Sequence, residues 1–178
     1  MELQILHAIQ GIHQEWLTEI LRFFTTIGES GLVWIVIAIV LTCIPKTRKC
    51  GLTMIIAMAI TYLVGNLFLK NVIARPRPCA VDPGVTLKIP FPSEYSFPSG
   101  HTMASFACAG VFWHYRRNFG RWSVVLLLLA ALIGFSRLYL YVHFPTDVLC
   151  GALLGLLFAA LAAHLCDRTG ACRMQKGR

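Results

Sequence analysis

The sequence predicts an all-α protein, a bundle of about five transmembrane helices preceded by an amphipathic helix in the membrane interface. Three observations predict this fold class. Of the 178 residues, 57% are hydrophobic and only 13% are charged, which is unlike a soluble globular domain. Several apolar runs approach the roughly 20 residues that cross a bilayer. Basic residues cluster between these runs, as they do in cytoplasmic loops.

Five apolar runs predict the spans, at residues 30–44, 51–69, 102–115, 122–136 and 147–165. The third and fourth runs are short, and we expect their polar neighbours to continue the helix. The length of the chain favours a single domain. We divide this domain, residues 1–178, into an amphipathic N-terminal helix (1–27), a transmembrane catalytic core (28–166) and a basic cytoplasmic tail (167–178).

The N-terminal segment, residues 3–26, has the pattern of an amphipathic helix. Apolar side chains recur three or four residues apart, at Ile5, Ile9, Ile12, Trp16, Ile20 and Phe23. Polar side chains fall between them, which favours a helix lying in the interface rather than crossing it. The alternative is a tilted first span, which would bring the total to six.

The basic residues predict the orientation of the chain in the membrane. Ten of the sixteen Lys and Arg residues lie in 45–50, in 115–121 or beyond Leu165, on one side of the five-span arrangement. The positive-inside rule makes that side cytoplasmic. The net charge of +8 is therefore a topology signal, and we expect no nucleic-acid partner. Residues 70–98 then face outward.

Three polar clusters, at 70–78, 98–101 and 136–147, lie at the ends of predicted spans. Because adjacent spans are antiparallel, these ends reach the same outer face of the bundle. Ionisable residues at such a depth are costly, and they default to a functional interpretation. The clusters therefore predict one site at the outer face.

The cations in these clusters suit a phosphate group. Lys70, Arg77 and Arg137 converging on one point would hold a dianionic tetrahedral group, since Arg engages two oxygens at once. Ser99 and Gly100 open a helix, where free backbone N–H groups and the helix dipole favour an anion. No carboxylate cluster or Cys/His spacing typical of a metal site is present, so we expect neither a metal nor another cofactor.

Two histidines and a carboxylate complete the chemistry. Asp147 follows His143 by four residues and can orient its imidazole, which leaves the other ring nitrogen free to attack phosphorus. His101, on a different helix, would protonate the departing oxygen. The predicted reaction is phosphoryl transfer through a phosphohistidine on His143, followed by hydrolysis, with the cations stabilising the transferring group.

These clusters read K-x6-RP, PSGH and SR-x5-H-x3-D, and together they resemble the signature of the type 2 phosphatidic acid phosphatase superfamily. The signature covers residues 70–147, nearly half of the chain. The resemblance implies a metal-independent integral membrane lipid phosphatase. It implies the same roles for the same residues, namely Lys70, Arg77, Ser99, Gly100 and Arg137 for phosphate and His101, His143 and Asp147 for catalysis. Arg75 nearly duplicates Arg77, and only the spacing from Lys70 favours Arg77.

Family analogy favours undecaprenyl diphosphate as the substrate, in a bacterial cytoplasmic membrane with the active site outside. The alternatives are phosphatidylglycerophosphate, phosphatidic acid, diacylglycerol pyrophosphate and lipid A phosphates. A lipid phosphotransferase, which passes the phosphoryl group to another acceptor, has the same chemistry. A non-catalytic protein that binds or transports anionic lipids would need the cations but no nucleophile. The expected partners are the lipid substrate and membrane lipids; the oligomeric state stays open.

Overall fold

The computed structural model describes residues 1–28 and 31–169, and in these ranges it has ten α-helices and one π-helix. In chain order they are α1 (Glu2–Gln10), α2 (Glu15–Ile27), α3 (Leu32–Cys43), α4 (Arg48–Ile60), π1 (Thr61–Leu69), α5 (Lys70–Ile73), α6 (Pro78–Val81), α7 (Gly100–His114), α8 (Arg116–Phe119), α9 (Trp122–Tyr139) and α10 (Pro145–Thr169). The predicted all-α class is confirmed.

Three helical segments of the described residues are long and apolar enough to cross a membrane: Arg48–Val81, Trp122–Tyr139 and Pro145–Arg168. Helices α2 and α3, bent by 49°, would together form a fourth. The sequence predicted about five spans, but α3 has 12 residues and α7 has 15, too few to cross alone. Helix α3 stops where Ile44, before Pro45, turns extended, and α7 starts only after the extended Ser99.

Helix α7 lies at the centre of the bundle. Its Met103, Ala107 and Val111 are fully buried, and the Trp34 indole of α3 donates a hydrogen bond to its Ser105 at 3.0 Å. Helix α10 packs closely along it, and the Ser99 backbone N–H donates to the Asp147 carbonyl at 3.1 Å. This packing holds the start of α7 beside the start of α10, where two of the predicted clusters lie.

The outward faces of the long helices are apolar. On α10, Leu149, Leu153 and Leu157 recur every four residues and are about 60% exposed. An exposed apolar stripe of this kind suits contact with lipid chains rather than water.

The N-terminal segment differs from the single helix predicted for residues 3–26, since α1 and α2 are separated at residues 11–14. Gln14 is extended, with φ −139° and ψ 144°. Tyr139 of α9 explains the break: its ring stacks on His13 at 4.0 Å between centroids, and its hydroxyl accepts from the Gln14 backbone N–H at 3.2 Å. These tertiary contacts outweigh the helical periodicity, and α1 packs against the C-terminal end of α9 and the N-terminal end of α10.

Helix α10 continues to Thr169, past the predicted boundary at 167. The rest of the predicted tail, residues 170–178, lies outside the described residues.

Candidate active site

A cavity of about 700 Å³ opens at the end of the bundle that carries the predicted clusters. Six of the eight predicted site residues line it: Lys70, Arg77, Gly100, His101, Arg137 and His143. Ser99 and Asp147 do not line it and are fully buried behind it. The remaining walls come from α2, from the π-helix and from the loop at residues 89–94.

The three predicted cations enter the cavity from separate elements. Lys70 begins α5, Arg77 caps α6 and Arg137 lies in the last turn of α9, and each is at least 94% buried. Arg77 donates to the carbonyl oxygens of Glu94 at 2.6 Å and Val142 at 2.9 Å, which orients the guanidinium without neutralising it. Buried cations brought together in this way favour an anion between them.

Lys70 has a carboxylate partner that sequence reasoning missed. Its ammonium donates to the carboxylate of Glu94, whose side chain is 67% exposed in the loop over the cavity. This hydrogen bond with Lys70 lowers the pKa of Glu94 below its ordinary value. At neutral pH the charged Glu94 carboxylate is therefore paired with Lys70, one of the cations predicted to bind phosphate.

His143 presents one ring nitrogen to the cavity cations and the other to Asp147. Its Nε2 lies 3.1 Å from Nη1 of Arg77. Since Arg only donates, Nε2 accepts and the ring proton is on Nδ1, which faces Asp147 Oδ2 at 3.6 Å. Burial lowers the pKa of His143 below its ordinary value, which favours the neutral imidazole at pH 7. A neutral ring whose Nε2 carries no proton can act as a nucleophile once a substrate takes the hydrogen bond from Arg77.

Ser96 bridges this histidine and carboxylate. Its hydroxyl donates to Asp147 Oδ2 at 2.5 Å and lies 3.5 Å from His143 Nδ1. The sequence offered no signal for this residue, because the contact joins positions 51 residues apart and no periodicity connects them.

The start of α7 reaches the cavity through Gly100 and His101 rather than through the side chain of Ser99. The Ser99 hydroxyl is buried and pairs with the Thr102 hydroxyl at 2.9 Å. Ser99 is the N-cap of α7, so its place in the site is that of backbone at a helix N-terminus. A side chain at Gly100 would not fit easily, since a Cβ there would lie 2.9 Å from Asn66 Oδ1.

Arg75 and Arg77, nearly equivalent in sequence, point to different places. Arg77 lines the cavity, whereas Arg75 donates to Asp147 Oδ1 at 2.7 Å. Only Arg77 therefore meets a ligand in the cavity directly.

Among the residues that the structure describes, no group of His, Cys, Asp or Glu side chains is arranged to hold a metal ion. The donors that line the cavity include four cations and two imidazoles, which suit an anionic ligand.

The model of the PAP2 superfamily matches residues 50–170. An undecaprenyl-diphosphatase of Sulfolobus acidocaldarius is 34% identical over 78% of this chain and 65% of its own length, so the chain spans just under two thirds of that relative. The undecaprenyl-diphosphatase BcrC of Bacillus subtilis is 31% identical over 94% of this chain and 85% of its own. The chain also resembles the crystal structure of a transmembrane phosphatidylglycerolphosphate phosphatase from Bacillus subtilis, with a TM-score of 0.77 and 30% sequence identity. The match covers 96% of this chain and 86% of that protein.

Proposed function

The chain belongs to the PAP2 superfamily of membrane lipid phosphatases, and on that premise we propose that it hydrolyses undecaprenyl diphosphate through a phosphohistidine on His143. The observation that carries the proposal is the position of His143 Nε2, unprotonated and 3.1 Å from a cavity arginine. A nucleophile beside buried cations is poised for an anionic phosphorus centre, which a protein that only binds lipids would not need.

In the first step, Nε2 of His143 attacks the terminal phosphorus, and the bond from that phosphorus to the bridging oxygen of the diphosphate breaks, with undecaprenyl phosphate as the leaving group. His101 gives its proton to that oxygen, and Asp147 stabilises the positive charge on the His143 ring. In the second step, His101 takes a proton from water, whose oxygen attacks phosphorus as the P–N bond breaks. Inorganic phosphate leaves and His143 returns to its neutral form.

The phosphoryl oxygens would be held by the three cations and by the start of α7. Lys70, Arg77 and Arg137 supply charge from three directions. Ser99 and Gly100 contribute through backbone N–H groups at the N-terminus of a 15-residue helix, where the dipole favours an anion. The mechanism needs no metal, because these groups carry the charge stabilisation.

The preference for undecaprenyl diphosphate rests on the two relatives with that activity. The phosphatidylglycerolphosphate phosphatase of Bacillus subtilis, similar in fold and 30% identical, makes phosphatidylglycerophosphate the second candidate. Both substrates carry a terminal phosphate, the group that the cations of the cavity suit. We further propose that the site faces the outside of a bacterial cytoplasmic membrane, since the basic loops 45–50 and 115–121 belong inside.

Phosphate release by the purified chain in detergent, with EDTA present, tests this proposal. Undecaprenyl diphosphate, phosphatidylglycerophosphate and phosphatidic acid are offered in parallel. We expect release by wild type, with the highest kcat/KM for undecaprenyl diphosphate, and a loss of at least about a thousandfold in H143A. Release that survives in H143A would refute the mechanism. A higher kcat/KM for phosphatidylglycerophosphate than for undecaprenyl diphosphate would make phosphatidylglycerophosphate the assigned substrate.

A further inference from the structure

Arg75 lies behind the cavity and contacts the carboxylate of Asp147 from the side opposite His143. Its Nη1 donates to Asp147 Oδ1 and to the Thr146 hydroxyl, both at 2.7 Å. Its guanidinium also stacks on Phe144, 3.9 Å from the ring centroid. These contacts hold the guanidinium at the first turn of α10, where the carboxylate is.

The two oxygens of Asp147 are divided between different partners. Oδ1 accepts from Arg75, while Oδ2 accepts from Ser96 and from the Phe144 backbone N–H at 2.9 Å and faces His143. Since Asp147 is fully buried, its rotation is set by these donors alone. The guanidinium on Oδ1 therefore fixes the direction in which Oδ2 meets the imidazole.

Helix α1 holds Arg75 in place. The carboxylate of Glu2 accepts from Nη2 of Arg75 at 2.5 Å. Its other oxygen accepts from the Thr146 backbone N–H at 3.1 Å and from the Thr146 hydroxyl at 2.7 Å. Glu2, Arg75 and Thr146 thus form one network, and the first turn of the chain is tied to the first turn of α10.

We propose that Arg75 is a positioning residue, which acts through Asp147 to orient the His143 nucleophile and is itself anchored by Glu2 of α1. This inference rests on the proposed function, because it assumes that His143 attacks phosphorus. It gives the two arginines of the RPRP segment separate tasks: Arg77 faces the substrate, and Arg75 faces the carboxylate behind the nucleophile.

The charge of Arg75 also bears on the pH dependence of the reaction. The other groups facing the His143–Asp147 pair are Arg77, Arg137 of α9 and His101 of α7, with Glu2 of α1 beyond Arg75. A cation next to the pair opposes its protonation. Loss of Arg75 should therefore move the acid limb of kcat to higher pH, whereas a defect in packing alone would leave the limb in place.

R75Q, which removes the charge at similar volume, is compared with R75K, which keeps the charge. For R75Q we expect kcat to fall about 10- to 100-fold, KM to stay within about twofold, and the acid limb to rise. R75K should recover much of the wild-type kcat, and the acid limb of its pH profile should lie at the wild-type position. R77K, in contrast, should raise KM, since Arg77 faces the substrate.

Wild-type kcat and pH profile in folded R75Q would overturn the proposal, and so would a rise in KM with kcat unchanged. If R75Q does not fold, as judged by melting temperature and gel filtration, the variant E2Q tests the proposal in its place. E2Q should lower kcat by up to about fivefold at unchanged KM, and an unchanged kcat would contradict the anchoring. H143A is run alongside: activity in H143A rejects the proposed function itself, independently of the result for Arg75.

Discussion

At the scale of single residues, Glu94 is the side chain that most directly competes with the proposed phosphate. Its carboxylate accepts a hydrogen bond from the Lys70 ammonium, although the Glu94 side chain is 67% exposed on the loop above the cavity. The hydrogen bond from Lys70 lowers the pKa of Glu94, so the carboxylate is charged and engaged from mildly acidic pH upward. A phosphate oxygen that approaches Lys70 must displace this carboxylate or share its partner.

Replacing Glu94 should therefore tighten the binding of phosphate. We expect E94Q to lower the inhibition constant of inorganic phosphate at pH 7 by up to about fivefold, since an exposed ion pair is worth at most about 1 kcal/mol. The matched control is D167N, which removes a carboxylate paired with Lys49 outside the cavity and should leave inhibition unchanged. Weaker inhibition in E94Q would mean that Glu94 helps to hold the anion.

The sequence predicted the side chains that line the cavity better than their partners. Lys70 and Arg137 could be placed because each lies at the end of an apolar run, and helix ends on one side of a membrane meet. Arg77 could be placed by its spacing from Lys70. The contacts of Ser96 and Arg75 with Asp147 join residues 51 and 72 positions apart. They depend on the path of the loop and of the RPRP segment, which no periodicity specifies.

At the scale of elements, the contact between α7 and α10 positions the proposed active site. An added Cβ at Gly155 would lie 2.4 Å from the Met103 carbonyl oxygen and 2.9 Å from the Ala107 nitrogen. The two backbones therefore touch, as small residues allow in membrane helix pairs. This close approach brings His101 at the start of α7 near His143 and Asp147 at the start of α10.

G155A should separate these helices and destabilise the protein. Because the obstructing atoms are backbone, we expect a loss of about 1–3 kcal/mol and a fall of several degrees in melting temperature. A160V enlarges an exposed alanine on the same helix and should leave the melting temperature nearly unchanged. Equal melting temperatures for G155A and wild type would show that the helices are not packed this closely.

The N-terminal segment shows where periodicity misleads. Its apolar spacing correctly indicated helix, yet the stacking of His13 on Tyr139 interrupts the helix at residues 11–14. The residues that cause the break are 126 positions apart, so the interruption could not be predicted from local sequence.

At the scale of the whole molecule, the bundle has a basic end and, opposite it, the end that carries the cavity. Lys49 pairs with Asp167 near the end of α10, so the loop at 45–50 lies beside the C-terminal end of that helix. The cavity surrounds His143 at the opposite end of α10. On the orientation that we propose from the positive-inside rule, the basic end faces the cytoplasm and the cavity faces the outer leaflet.

Cysteine labelling in intact cells tests this orientation. A membrane-impermeant maleimide should label S93C, in the exposed loop over the cavity, without permeabilisation. N118C, exposed between α7 and α9, should be labelled only after permeabilisation; the unsubstituted chain sets the background from native cysteines. The reverse pattern would place the active site in the cytoplasm and exclude a role at the outer leaflet.

Trapping of the phosphoenzyme tests the central claim, a covalent bond between His143 and the phosphoryl group. The purified chain is mixed with substrate carrying ³²P in its terminal phosphate, quenched in alkali and mapped by mass spectrometry. The account predicts an acid-labile, alkali-stable phosphate on Nε2 of His143 that is absent from H143A. Rapid turnover with no protein-bound phosphate at any quench time, or a phosphate on another residue, would contradict it.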